Sequence, residues 1–175
     1  IDSNMIYIEG YLFDQPKAKE AIFYCCSLAK SDNKKIALSL SDLFCVDRHR
    51  IDFIKLIDKY VDIIFANEDE IKSLYKLDLI PSISSIKRNV DIGAITLGSK
   101  GSVVFANKVE NYIDPIFVEK LMDTTGAGDL FAAGFLYGFI NQYSIERCGY
   151  LGNKAASEVI KYIGARPKIS LKLLL

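Results

Sequence analysis

An acidic side chain, Asp129, closes the stretch Met122-Asp123-Thr124-Thr125-Gly126-Ala127-Gly128-Asp129, immediately before the apolar run Leu130 to Ile140. A glycine-flanked turn that opens into a helix leaves several backbone N–H groups without intrahelical partners, backed by the positive end of the helix dipole. Such a stretch is suited to holding an anion. A carboxylate beside bound phosphate repels it, so an anion loop gains nothing electrostatically from Asp129. Two accounts of that residue stand side by side. In one, a substrate hydroxyl lies between Asp129 and a nucleotide's terminal phosphate. The carboxylate then accepts the proton while loop amides hold charge developing on the transferred group. In the other, Asp129 is an ordinary first-turn carboxylate, worth about 0.3 to 1 kcal/mol with the dipole.

Spacing excludes two other phosphate motifs. No G-x-x-x-x-G-K-[ST] occurs, and a dinucleotide fingerprint built on Gly126-x-Gly128 would need glycine or alanine where Phe131 stands. The stretch resembles the D-T-x-G-A-G-D signature of the ribokinase (PfkB) family of carbohydrate and nucleoside kinases. The resemblance implies that Gly126, Ala127, Gly128 and Asp129 form an anion hole and that Asp129 is the base acting on an acceptor hydroxyl. Members of that family run to about twice this length. The chain is therefore expected to be the carboxy-terminal part of a longer protein, without its amino-terminal half and lid.

The elements that must carry this loop can be read from pattern. Met5 to Glu9 reads as a buried strand, and Pro16 opens a helix to about Lys30, with Ala18, Ala21, Ile22, Cys25, Leu28 and Ala29 at helical spacing. Ile36 to Leu40 is the next strand, and Ser41-Asp42 ends it on the side where α/β sheets place ligands. A helix follows through Phe53, Ile54 and Ile57. Val61 to Phe65 is a third strand, and Ala66-Asn67-Glu68-Asp69-Glu70 opens a helix to Tyr75. After a loop with Pro81 and a short helix around Ile83 to Arg88, Gly93 to Leu97 forms a fourth strand. Gly98 to Gly101 turns into the strand Ser102 to Ala106, and Asn107-Lys108 turns again into Val109 to Ile113, as edge hairpins. Beyond the anion loop and its helix, Ile145 to Ile163 is predicted helical, with Leu151, Ala155, Ala156, Val159, Ile160 and Ile163 inward. Small Ala155, Ala156 and Ser157 would let it approach a neighbour closely. Gly164-Ala165-Arg166-Pro167 ends it. Alternating strands and helices predict a single α/β domain over residues 1–175, a three-layer α/β/α sandwich with a mainly parallel, ribokinase-like sheet. Its exposed edge, where further strands would pair, is an expected aggregation liability.

Further positions take roles from the resemblance, each beside a plainer account. An N-x-x-E motif maps onto Asn67 and Glu70, implied to organise Mg²⁺ and its waters; three carboxylates in a first turn also suit the dipole. A T-x-G-x-x-G motif maps onto Thr96, Gly98 and Gly101 and borders the nucleotide; turn geometry alone would also require the glycines. Asn153, eleven residues before Gly164, matches an asparagine near the adenine, or is an ordinary helix residue. Asp123 and Thr125 lie where some members hold a monovalent cation such as K⁺. Glu9 to Phe13, Ser41-Asp42 to Arg50, Asn67 to Ile71 and Gly164 to Pro167 look most like the bacterial adenosine-kinase-like branch.

The resemblance thus implies ATP- and Mg²⁺-dependent phosphorylation of a primary hydroxyl, on adenosine or on a sugar such as ribose or fructose. A non-catalytic nucleotide-binding module is the rival from another class. Twenty-two basic residues balance twenty-two acidic ones, so charge gives no case for nucleic acid or an anionic membrane. Leu130 to Ile140 is too short to span a bilayer, and no charged n-region with a following h-region is present. Cys25, Cys26, Cys45 and Cys148 lack C-x-x-C spacing and read as free thiols in a reducing cytoplasm. His49 has no second ligand at metal spacing and reads as structural. Arg48-His49-Arg50 near a strand end could meet phosphate or be a solvated first turn. A homodimer is one assembly left open.

Overall fold

Aliphatic runs bounded by turn residues become strands in a computed structural model that describes residues 3–175; Ile1 and Asp2 lie outside the described residues. The strands are β1 (Met5–Glu9), β2 (Lys35–Ser39), β3 (Ile63–Asn67), β4 (Ile92–Thr96), β5 (Ser102–Ala106) and β6 (Val109–Ile113). They follow chain order, β1-β2-β3-β4-β5-β6, in one mostly parallel sheet. β1 pairs with β2 in parallel from Met5↔Lys35 to Glu9↔Ser39, and β2 with β3 from Ala37↔Ile63 to Ser39↔Phe65. Parallel neighbours need a long return connection. Here α1 (Pro16–Ser31) and α2 (Leu43–Tyr60) supply it. By contrast β5 and β6 are joined only by Asn107 and Lys108, both at positive φ (50° and 70°), as a tight hairpin turn requires.

The chain forms two compact units, one reaching to Ile95 and including Ala106–Lys108, the other comprising Thr96–Phe105 and Val109–Leu175. In the first, Ile36, Ala37 and Leu38 are fully buried, the mark of a parallel strand covered on both faces. Phe13 stacks on Phe53 with ring centroids 4.4 Å apart. The first unit also holds α3 (Glu68–Tyr75) and α4 (Leu79–Ile86). In the second, α5 (Ala127–Ile140) packs on α6 (Ile145–Val159), with Phe131, Phe135, Leu151, Ala155 and Val159 inside.

Several expectations need correction. β1 is not a buried strand: it stands at one end of the strand order, only Ile8 in it is buried, and Tyr7 is 38% exposed. On α1 the inward face is Ile22, Cys26 and Ala29, whereas Cys25 and Leu28 are exposed, because the helix turns a slightly different stripe toward the sheet. Strand β3 begins two residues late. Asp62 uses both its backbone N–H and its side chain on Ile36, at 2.8 Å each, which closes the ladder before Ile63. Pro81 lies in the first turn of α4 rather than in a loop, where its missing N–H costs nothing. Helix α6 stops at Val159, and Ile163 is 76% exposed. The carbonyl of Ile160 is taken by the N–H groups of Met122 and Asp123, so the end of the helix holds the glycine loop instead of continuing.

Candidate active site

The loop is anchored before it is exposed. One oxygen of Asp123 accepts from the Thr125 backbone N–H and hydroxyl at 2.9 and 2.7 Å, and the other accepts from the Gly164 N–H at 2.8 Å. These donors hold its carboxyl below the usual carboxylate range, the Thr125 hydroxyl contributing most. Asp123 and Thr125 therefore lock the turn. Gly126 then takes φ +79°, and a Cβ there would stand 2.8 Å from that of Ala165, so only glycine fits.

Helix α5 starts at Ala127, which puts Asp129 in its first turn, exposed. The Ala127 N–H donates to the Thr124 carbonyl at 3.1 Å and is not free for a ligand, contrary to expectation. The turn that brings Gly126 to its left-handed conformation is what closes that bond. The N–H groups of Gly126, Gly128 and Asp129 have no partner among the described residues. What remains is three unpaired amides at a helix start, with an exposed carboxylate that has no partner among the described residues.

A cavity of about 510 Å³ adjoins this loop, within the second unit. It is lined by Thr96, Gly98, Gly101 and Asn153 together with Ala127 and Gly128, so the structure brings the two glycine motifs and the helix asparagine to one place. Gly101, at φ +91°, leaves no room for a side chain: a Cβ would meet the Ile113 carbonyl at 2.1 Å. Of the apolar walls, Ile116, Phe117, Val118, Leu121, Phe131 and Ile160, the first four carry no sequence signal. Residues 114–121 carry no period, and only tertiary packing gives them a shared face.

Asn67 and Glu70 belong to the first unit and are brought together in a reciprocal cap at the start of α3. The Asn67 side chain accepts from the Glu70 N–H at 2.8 Å, and the Glu70 carboxylate accepts from the Asn67 N–H at 2.8 Å and from its amide at 2.7 Å. Burial pushes the Glu70 carboxyl up to about 7, the Asn67 N–H opposes this, and the Asp42, Glu9 and Asp69 carboxylates add to it. Such negative potential on hard oxygen donors suits Mg²⁺ with its waters. Because the folded value lies above the ordinary 4.5, the stability tied to Glu70 is fully present below pH 4.5 and is lost as pH rises through 7. Glu70→Gln is expected to flatten this slope, worth on the order of 3 kcal/mol. Urea midpoints at pH 4.5 and 7.5 measure it, and equal slopes in both proteins would refute it.

Other candidates are accounted for structurally. Asp42 caps α2, accepting from the N–H groups of Phe44 and Cys45 at 2.7 and 3.0 Å. Arg48 grips Asp14 through two nitrogens, and Arg50 donates to the Leu74 carbonyl. His49 does have a partner at ligand spacing, Cys45, four residues earlier; with Asp14 their ligand atoms lie within 4.8 Å. Yet Lys19 donates to His49 Nδ1 at 3.2 Å, so Nε2 carries the proton that goes to Asp14 at 2.8 Å, while the Cys45 thiol donates to the Gly10 carbonyl. A metal would have to displace two cations; the cluster is a hydrogen-bond network. All four cysteines are free thiols. Burial pushes those of Cys26, Cys45 and Cys148 up to about 11, which leaves them unreactive. Among the described residues no helix is long and apolar enough to cross a membrane.

A mostly parallel sheet with helical crossovers and an anion loop opening a helix defines a ribokinase-like α/β protein. The chain belongs to the pfkB family of carbohydrate kinases, whose family model matches residues 2–171. It is similar to a probable sugar kinase from Rhizobium etli CFN 42, with 43% identity and a TM-score of 0.95 over 99% of this chain and 53% of that one. Its similarity to the adenosine kinase from Sinorhizobium meliloti is comparable: 42% identity, TM-score 0.95, 99% of this chain and 54% of that one. An uncharacterized sugar kinase from Archaeoglobus fulgidus is 39% identical over 109 residues, 62% of this chain and 43% of its own length. The chain spans about half the length of the relatives it matches.

Proposed function

We propose that this chain carries the phosphoryl-donor half of a kinase that transfers phosphate from ATP to a primary hydroxyl of a nucleoside, adenosine first. The observation that carries the reading is the exposed Asp129, without a partner among the described residues, on a loop with three unpaired amides whose Thr124, Ala127 and Gly128 line a cavity large enough for a nucleotide base. Asp129 accepts the hydroxyl proton. The N–H groups of Gly126, Gly128 and Asp129 donate to the migrating phosphoryl oxygens, where preorganised donors act most strongly. Asn67 and Glu70 would hold Mg²⁺ through its waters. A reducing, cytoplasmic compartment suits the buried free thiols.

A sugar acceptor is the second reading, favoured by the similarity to the probable sugar kinase from Rhizobium etli. ADP release by the intact protein with adenosine, ribose and fructose separates them. Adenosine is expected to give the highest kcat/KM. A preference for ribose or fructose would support the sugar reading, and no turnover with any of the three would leave only a nucleotide-binding module.

A further inference from the structure

The start of α5 is short of positive charge for a polyanion. Its unpaired amides together carry about half a positive charge, whereas Asp129 carries a full negative one. Residues 122–135 contain no lysine or arginine to make up the difference. Asp123 is held by hydrogen bonds from Thr125 and Gly164, not by a cation. Phosphate oxygens at those amides would face net negative charge unless a cation reached them from another segment of the unit.

The segment after α6 brings one. The Gly164 N–H donates to Asp123 at 2.8 Å, and a Cβ on Gly126 would stand 2.8 Å from the Ala165 Cβ and 2.9 Å from its Cα. Both residues are thus docked on the glycine loop. Arg166 comes next, exposed and without a partner among the described residues. Its Cα lies within about 8 Å of the Gly126 Cα, a distance an arginine side chain covers. Pro167 confines the Arg166 backbone to extended conformations, so the base of the side chain is fixed while its head is free to move. Other cations of α6 are engaged: Lys161 pairs with Glu158 at 2.6 Å, and Lys154 donates to the Leu174 carbonyl at 2.6 Å.

We infer that Arg166 is a catalytic residue: its guanidinium donates to two oxygens of the terminal phosphate of ATP and offsets the charge of Asp129 during transfer. The inference rests on the phosphoryl-transfer reading above. The planar fork of an arginine matches two phosphate oxygens, which a lysine cannot do. In the step itself, a bond forms from the acceptor oxygen to the terminal phosphorus, and Asp129 takes the hydroxyl proton. The bond from that phosphorus to its bridging oxygen breaks, and its electron pair leaves with ADP. Arg166 stays protonated throughout.

The test is Arg166→Ala in the intact protein. Turnover with ATP and the best acceptor is expected to fall by about 10- to 10²-fold. By titration calorimetry ATP should bind about three- to tenfold more weakly, while ADP, which lacks the contacted phosphate, binds as before. Arg166→Lys should keep part of the rate, and Lys168→Ala, a neighbouring exposed cation beyond Pro167, should keep all of it. A folded Arg166→Ala protein with kcat within about twofold of wild type overturns the inference, as does equal weakening of ATP and ADP. A loss in Lys168→Ala that matches Arg166→Ala overturns it too, by making the effect one of general charge. Failure of the unsubstituted protein to turn over ATP with any acceptor overturns the phosphoryl-transfer reading itself.

Discussion

Asp129→Asn is expected to lower turnover of the intact protein by about 10²- to 10⁴-fold while ATP affinity stays the same or tightens. Asparagine keeps the size of the side chain and removes its capacity to take a proton. It also removes a negative charge beside the three unpaired amides, which can only favour a bound phosphate. The two accounts of this residue diverge here. If Asp129 merely complements the dipole of α5, the substitution costs a few tenths of a kcal/mol of stability and little rate. Steady-state kinetics with ATP and the best acceptor, alongside titration calorimetry, decides the matter. Unchanged kcat would sink the general-base role.

Gly134→Ala should be the most destabilising single methyl added to a glycine of α5 or α6. A Cβ at Gly134 would lie 2.4 Å from the Leu151 carbonyl oxygen, 2.8 Å from its carbon and 3.1 Å from the Ala155 Cβ. Two of these are backbone atoms of α6 and cannot rotate away, so the helices must separate. Alanine's helix preference returns up to about 1 kcal/mol. Overpacking against backbone costs about 1 to 3 kcal/mol or more. The expected net loss is on the order of 2 kcal/mol, a drop of several degrees in melting temperature. Gly138→Ala serves as the comparison, since its nearest neighbour is the Cys148 Sγ at 3.0 Å, a side chain with some room to adjust. Thermal melts of both variants test this, and a Gly134→Ala protein as stable as wild type would show that α5 and α6 are looser than described. Because α5 carries Asp129 and α6 carries Asn153, the same variant should also weaken ATP binding.

Local rules were legible wherever one segment decides its own structure. The hairpin at Asn107-Lys108, the helix opening at Pro16 and the turn before α5 follow from turn and cap chemistry, and strands β1, β5 and β6 have the bounds their residues predict. The long glycine motif pointed to the loop, and the mapped residues Thr96, Gly98, Gly101 and Asn153 do meet around one cavity. What could not be read was set by distant partners. Ala127 loses its N–H to Thr124 through the precise bend of the turn, and Ile163 is exposed because Ile160 gives its carbonyl to the loop. The close approach of α5 and α6 was ascribed to the small residues of α6. Gly134 and Gly138 on α5 prove equally necessary, a fact visible only once Leu151 and Cys148 face them.

All the cavity-lining residues fall between Thr96 and Ile160, within one uninterrupted length of polypeptide, while Asn67 and Glu70 precede it. A single crossover upstream of Thr96 would therefore transplant the whole lining of the cavity as a cassette. On the nucleotide-site reading proposed above, a laboratory chimera joined at that point is expected to take its nucleotide preference from one parent alone.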